Sequence, residues 1–339
     1  MTNLATNPAG TPAQPRGSAT AGASAQAAAA IQWIAERGIF VVTAVLILGA
    51  AFFVDGFASV VNITDVFHRA APIGIVAIGM TFVVISGNYL DLSVVPQVAT
   101  SAVIFIAVSN SYGIPAAIGA AVIVAVFYGL VNGVAVGYFN ANAVIVTLAT
   151  TYIGLGLLRW LSGGSIFFGP ADGPIATLGQ LKVGPVPLSA IVLIVMAVLL
   201  AFVLNRTGFG FAVRAYGSNK DATRLAGVAT SRIVLGAFVI TSLSAMVAGF
   251  VLAAFSNTAV STMSQGFDFG ALAAIIIGGT SVFGGRGSVL RTVLGVIFVS
   301  VLTNILVLSN IGYGWQQVAI GVLIVLAVSV DAVARRVGK

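Results

Sequence analysis

The chain has no cysteine, which excludes disulfide bridges and thiolate metal sites. It has a single histidine, His68, so an imidazole-based metal site has no second ligand of that kind. Charge is scarce: Asp, Glu, Lys and Arg make up 7% of the 339 residues, where a soluble domain carries about 25%. Also missing are an HExxH motif, a close pair of carboxylates in an apolar stretch and a Ser/His/Asp set in context. No catalytic residue, metal site or resident cofactor is expected. What fills the chain is apolar surface, at 59% hydrophobic residues and a mean hydropathy of +1.11. Such a chain cannot cover a water-facing surface, so membrane lipid is its main partner. Its 40 glycines suit helices that pack closely in lipid. The net charge of +7 would suggest nucleic acid in a soluble protein. Here the basic residues border apolar runs, which makes topology the better reason and nucleic acid no partner.

A helix rises about 1.5 Å per residue, so crossing about 30 Å of hydrocarbon takes about 20 residues. Ten apolar runs predict helices near Ile39–Val54, Ala70–Ile85, Val94–Val108, Ile114–Gly137, Val144–Leu161, Leu188–Leu204, Ile233–Phe255, Phe269–Val282, Val289–Leu308 and Trp315–Val333. Fusing short neighbours would give eight. The expected fold is an all-α, polytopic helical membrane protein of about ten transmembrane helices, because continuous rather than alternating apolar runs exclude a barrel. Residues 1–36 read as a disordered tail, poor in apolar side chains. Residues 37–334 read as the membrane domain and 335–339 as a basic terminus. With the N-terminus inside, Arg16, Arg37, Arg206, Arg214, Lys220, Arg224, Arg232, Arg286, Arg291, Arg335, Arg336 and Lys339 fall inside, and only Arg69, Arg159 and Lys182 outside. That asymmetry predicts cytoplasmic termini.

The long interruption at 205–232 holds five of the basic residues and is expected in the cytoplasm. Within it, Phe211–Tyr216 reads as a helical turn or more that includes Arg214 and ends at Gly217. Ser218 and Asp221 have capping-box-like spacing. A second short helix is expected over Asn219–Ala226, through Lys220, Ala222, Arg224 and Leu225, ended by Gly227. These residues form either a docking face for a soluble partner or an ordinary solvated loop. The Gly278–Ser288 stretch lacks the Gly-Lys-Ser/Thr of a nucleotide loop and reads as a tight cytoplasmic turn around Gly284, Gly285 and Arg286. The outer loop Gly163–Pro187, with six Gly and four Pro, suits turns more than helices.

Asp91, in the link between the second and third spans, reads as a helix-capping carboxylate at the membrane border, or as a functional intramembrane acid. Asn88, Tyr89, Asn132, Thr147, Thr150, Asn304, Gln316 and Gln317 are candidates to line a path for a neutral hydroxylated solute. Interhelical hydrogen bonding is the plainer role for each.

Several blocks together resemble the permease subunits of bacterial ATP-binding-cassette importers of the ribose, xylose and galactose class. They are Gly79–Gly87 leading to Asp91-Leu92-Ser93-Val94; Gly129-Leu130-Val131-Asn132-Gly133 with Ile145–Thr150; Gly217–Gly227; and Ala273–Ser281 with Gly284–Ser288, then Trp315-Gln316-Gln317. The link before Asp91 is one residue longer than is usual in that family. The resemblance implies a homodimer with a central path and a separate cytoplasmic ATPase subunit that binds ATP and Mg. It also implies an extracytoplasmic sugar-binding protein and a place in the bacterial inner membrane. On the residues alone, the rivals are an ion-coupled secondary transporter of a small polar solute and a membrane scaffold without transport.

Overall fold

The structure, a computed structural model, describes residues 38–87 and 90–337, with side chains up to 329. The tail at 1–36, Asn88, Tyr89 and the side chains of the basic terminus lie outside the described residues. Each of the ten apolar runs holds a helix. Among the described residues, seven helices are long and apolar enough to cross a membrane: α2 (Val60–Ile85), α3 (Val94–Tyr112), α4 (Ile114–Gly137), α5 (Ala143–Ser162), α7 (Leu188–Arg206), α10 (Thr230–Ser256) and α12 (Val289–Leu308). Three apolar helices are shorter or only partly described: α1 (Gly38–Phe53), α11 (Phe267–Ile277) and α13 (Tyr313–Val337). The protein is therefore a polytopic helical membrane protein.

Two borders differ from the sequence reading. α2 begins at Val60, ten residues before the predicted start at Ala70. Its first turns carry Asn62, Asp65, His68 and Arg69, which lower the local hydropathy but are satisfied within the helix or by neighbours. Arg69 Nε donates to Asp65 Oδ2 at 2.7 Å, one turn back. The buried His68 ring stacks on Phe255 and bonds Ser189 at 3.0 Å. α11 is the second difference. It was expected to reach Val282 but stops at Ile277, and 11 residues rise only about 16 Å, half the hydrocarbon thickness.

α2 and α10 form the centre. From Ala70 to Ile85 every α2 residue except Ile73 is buried, as expected of a helix that is apolar all round. α10 packs on α2, α3 and α4. Its contact with α4 runs along Gly129, Gly133 and Gly137, one glycine per turn. A Cβ at Gly129 or Gly133 would lie 2.7 Å from the Cα of Val239 or Leu235. In lipid no water is released when helices meet, so this close backbone contact supplies the dispersion energy that holds them.

The outer loop is more ordered than its Gly and Pro content predicts. It contains α6 (Pro174–Gln180), which packs on α10, and a small hairpin of β2 (Lys182–Val183) with β3 (Val186–Pro187). Pro174 sits at the helix start, where proline is tolerated. β1 (Phe167–Phe168) pairs antiparallel with β4 (Thr258–Ala259), just after α10. The Asn257 side chain donates to the Gly169 carbonyl at 3.0 Å and fastens the loop there.

Candidate functional site

Two broken stretches of backbone meet inside the bundle. One is the link between α2 and α3. The other is the turn Ser261–Gly266 that precedes the half-length α11. Ser264 Oγ, fully buried, donates to the Val95 carbonyl in the first turn of α3 at 2.8 Å. Irregular backbone at membrane depth persists only where protein satisfies it or where it lines a cavity.

At this junction Asp91 Oδ1 accepts from the backbone N–H of Ser93 at 2.9 Å and from Ser93 Oγ. Ser93 Oγ accepts in turn from Gln97 Nε2 at 2.6 Å and from Asn132 Nδ2 at 2.8 Å. Asn132 Oδ1 accepts from Thr150 Oγ1 at 3.0 Å. The Ser93 hydroxyl thus spends its one proton and both lone pairs. The chain of bonds ties the α2–α3 link to α3, α4 and α5. Asp91, Ser93, Gln97 and Asn132 are all buried. Asp91 does not cap α3, whose cap position is Ser93; it closes a turn within the bundle, three positions before the helix begins at Val94. Its second oxygen and Gln97 Oε1 are buried acceptors without a protein donor. A group with hydroxyl hydrogens, water or solute, complements them chemically.

Of the described candidates, the structure gathers Asp91, Asn132 and Thr150 and leaves Thr147, Asn304, Gln316 and Gln317 apart. Thr147 bonds its own helix at Ala143, 2.8 Å away. Asn304 exchanges two bonds with Asn62, of 2.8 and 3.0 Å, between α12 and α2. Gln316 donates to the Ile311 carbonyl, and Gln317 to the Tyr313 hydroxyl. Tyr152, two positions after Thr150 on α5, is exposed. Ser93 and Gln97 were not singled out, although their spacing of four puts them on one helix face. Among the described residues no three His, Asp or Glu side chains group as a metal-ligand set.

The 205–232 loop holds two helices, α8 (Gly208–Ser218) and α9 (Lys220–Leu225). Two assignments change. Gly217 lies within α8 rather than ending it, and the cap of α9 is Asn219, not Ser218. Asn219 Oδ1 accepts from the Ala222 N–H at 2.9 Å, and its extended backbone breaks the chain between the helices. Asp221 in the first turn and Arg224 in the last complement the dipole of α9. Gly227 follows in the left-handed region, at φ +77°. Phe211 and Leu225 point outward, 76% and 89% exposed.

The inner side of α8 packs on backbone. A Cβ at Gly217 would overlap the Ile85 carbonyl oxygen. The same oxygen accepts from the Gly285 N–H at 2.8 Å. Gly284, at φ +87°, is so close to Gly87 that its Cβ would lie 2.8 Å from the Gly87 Cα. Lys220 Nζ donates to the Gly87 carbonyl at 3.3 Å and lies 5.3 Å over the Tyr216 ring. Partial desolvation there pulls its pKa below the usual lysine range. Arg214 Nη2 bonds Asn205 at 2.6 Å and reaches the Gly287 carbonyl at 3.5 Å. In the glycine-rich turn the Arg286 carbonyl accepts from Ser281 N–H at 3.0 Å.

Residues 62–328 match the family described as "Branched-chain amino acid transport system / permease component". The chain is 36% identical over 304 residues to the probable ABC transporter permease protein YphD of Escherichia coli (strain K12), covering 87% of this chain and 89% of that protein. It is 32% identical to the L-arabinose transport system permease protein AraH of the same organism, over 87% and 90% of the two chains. It is 28% identical to the ribose import permease protein RbsC of Haemophilus influenzae, over 88% and 94%. No solved structure matches the chain.

Proposed function

The chain belongs to the branched-chain amino acid transport system permease-component family, and we propose that it forms the path by which an ATP-driven importer takes up a monosaccharide or related polyol. It is a transport subunit and a multi-pass protein of the bacterial inner membrane. ATP and Mg bind a separate cytoplasmic ATPase, which docks on α8 and α9. An extracytoplasmic binding protein delivers the solute at the opposite face. Two copies of this chain enclose the path, and both termini are cytoplasmic.

The observation that carries the reading is the pair of capped helices at 208–225. Their outer face presents Phe211 and Leu225 to water, while their inner face is fixed on the membrane core. Large apolar groups held rigidly on a basic loop cost free energy unless a partner covers them. The broken α2–α3 link and half-length α11 fit a path, because discontinuous helices line the sites of many transporters. Ion coupling would rest on Asp91 alone, which has no second acid beside it among the described residues.

The test is reconstitution of the chain in liposomes with the ATPase and binding protein of its own transport system, and uptake of labelled monosaccharides and polyols. Uptake is expected only with ATP and all three proteins. Uptake by the chain alone, abolished by a protonophore or by removal of sodium, would sink the reading.

A further inference from the structure

We infer that the groove between α3, α4 and α5 is a lipid site, which takes one acyl chain from the leaflet on the side of the Gly163–Pro187 loop. With cytoplasmic termini, as proposed above, that is the outer leaflet. Otherwise the inference needs only that the chain lies in a membrane.

α5 is the least buried of the seven spanning helices. Its buried residues are Ala143, Thr147, Gly154 and Leu158. At Gly154 it meets Pro96 of α3 and Tyr128 of α4 so closely that a Cβ would overlap the Tyr128 hydroxyl. Beside that contact lies a cavity of about 690 Å³, large enough for a small organic ligand. Its walls are apolar, with Val103 and Ala107 on α3, Val124 and Phe127 on α4, and Leu157 and Leu161 on α5. Phe127, Leu157 and Leu161 are 64%, 51% and 74% exposed, so the groove opens sideways. Water is a poor occupant, because a buried water needs about two to four polar partners. The polar side chains of the lining are the hydroxyls of Thr100, Tyr128, Thr150 and Ser162, and that of Thr150 already bonds Asn132. A monosaccharide fits no better, since each hydroxyl buried without a partner costs free energy. Inside a bilayer, the liquid at the open side is hydrocarbon. From Thr150 to Ser162 the α5 wall rises about 18 Å, close to one leaflet's half of the ~30 Å hydrocarbon core. The groove therefore has the length, direction and chemistry of one acyl chain. Such a chain supplies the dispersion contacts that a void between helices forfeits. Its tip lies at Thr150, so the lipid backs the α5 end of the buried polar cluster.

The test uses the full chain in symmetric vesicles of phosphatidylcholine, with a trace of the same lipid carrying a photoactivatable diazirine in one acyl chain. Labelled residues are mapped by mass spectrometry. Val103 and Leu158 line the groove and are buried, so lipid at the protein surface does not reach them. The wild type should carry label at both, and at exposed Val198 on α7 as the surface reference. Ala107→Phe and Val124→Phe fill the groove from two different walls. Each should abolish label at Val103 and Leu158 and leave Val198 unchanged. Label confined to Val198 in the wild type would overturn the inference before any variant is made. So would label at Val103 and Leu158 that survives both substitutions. Displacement of that label by added monosaccharide would make the groove part of the solute path, and would overturn it too. The chain has no cysteine, so Leu157→Cys adds a single thiol at the groove mouth. On oxidation in the vesicles this variant should stay monomeric on a denaturing gel. A disulfide-linked dimer would place α5 of a second copy over the groove in lipid's stead, and the inference would fall. No arm of the test depends on the importer reading.

Discussion

Ser93→Ala removes one oxygen and three side-chain hydrogen bonds: to Asp91, from Gln97 and from Asn132. The volume change is negligible, so the cost is almost wholly polar. Side-chain bonds between membrane helices average about 0.6 kcal/mol, which sets a floor near 2 kcal/mol for three. The ceiling comes from the groups left behind. Asp91 Oδ1 keeps the Ser93 backbone N–H, but the buried Gln97 and Asn132 amides each lose a partner. Each orphaned buried group costs about 1–3 kcal/mol, so the expected loss is about 2–6 kcal/mol. The measurement is reversible unfolding in mixed micelles, followed by far-ultraviolet circular dichroism. A cycle with Asn132→Ala isolates the Ser93–Asn132 bond, with an expected coupling of about 0.6–1.7 kcal/mol. Thr150→Ala removes a half-buried hydroxyl whose one proton is shared between Asn132 Oδ1 and the Thr147 carbonyl, and should cost less than Ser93→Ala. A Ser93→Ala loss under about 0.5 kcal/mol, with additive double mutants, would refute the idea that the cluster holds α3, α4 and the link together.

Leu225→Asp should abolish ATPase association and uptake while changing unfolding by less than about 0.5 kcal/mol, because the side chain is 89% exposed. Retained association in a pull-down would return the 205–232 segment to a plain connector. Gly133→Ala sets a methyl group 2.7 Å from the Leu235 Cα and should destabilise the bundle by about 1–3 kcal/mol in the same micelle assay, whereas Gly119→Ala, in open space on α4, should not. A reporter fused after Lys339 that works only in the cytoplasm should be active; activity of a reporter confined to the outer side would reverse the topology.

Helix positions were legible because a lipid-spanning run must be apolar whatever it packs against. The errors fall where that pressure relaxes. The start of α2 was hidden by Asn62, Asp65, His68 and Arg69, which satisfy one another or residues far off in sequence, such as Asn304 and Ser189. α6 was hidden by its flanking glycines and prolines, since it is stabilised by packing on α10 rather than by propensity. Asn219 and Ser218 are adjacent and both good caps, so sequence could not choose between them. Asp91 and Asn132 were legible as polar residues in apolar surroundings. That Ser93 joins them was not, because the bond needs α4 to lie beside the start of α3. The separation of Asn304, Gln316 and Gln317 from the cluster is likewise a matter of tertiary placement.

A bundle whose helices all crossed the membrane intact would have its backbone groups satisfied within each helix, and no ready place to open. Here the crossing is interrupted twice, at 87–93 and at 261–266, and the two breaks are fastened together by Ser264 and Val95. The freed backbone is supported by side chains, Asp91 on the Ser93 N–H and Ser264 on the Val95 carbonyl, and side-chain bonds in membranes are individually weak. Weak, replaceable bonds at an internal break suit a part that must rearrange, whereas the glycine-packed α4–α10 contact suits a part that must not. The loop helices touch both kinds: α8 meets the link at Ile85 and Lys220 of α9 bonds Gly87, while Phe209 of α8 lies against Gly236 of α10. Of the two, the link is held by the bonds that are cheapest to exchange, so it is the part expected to yield first when α8 shifts.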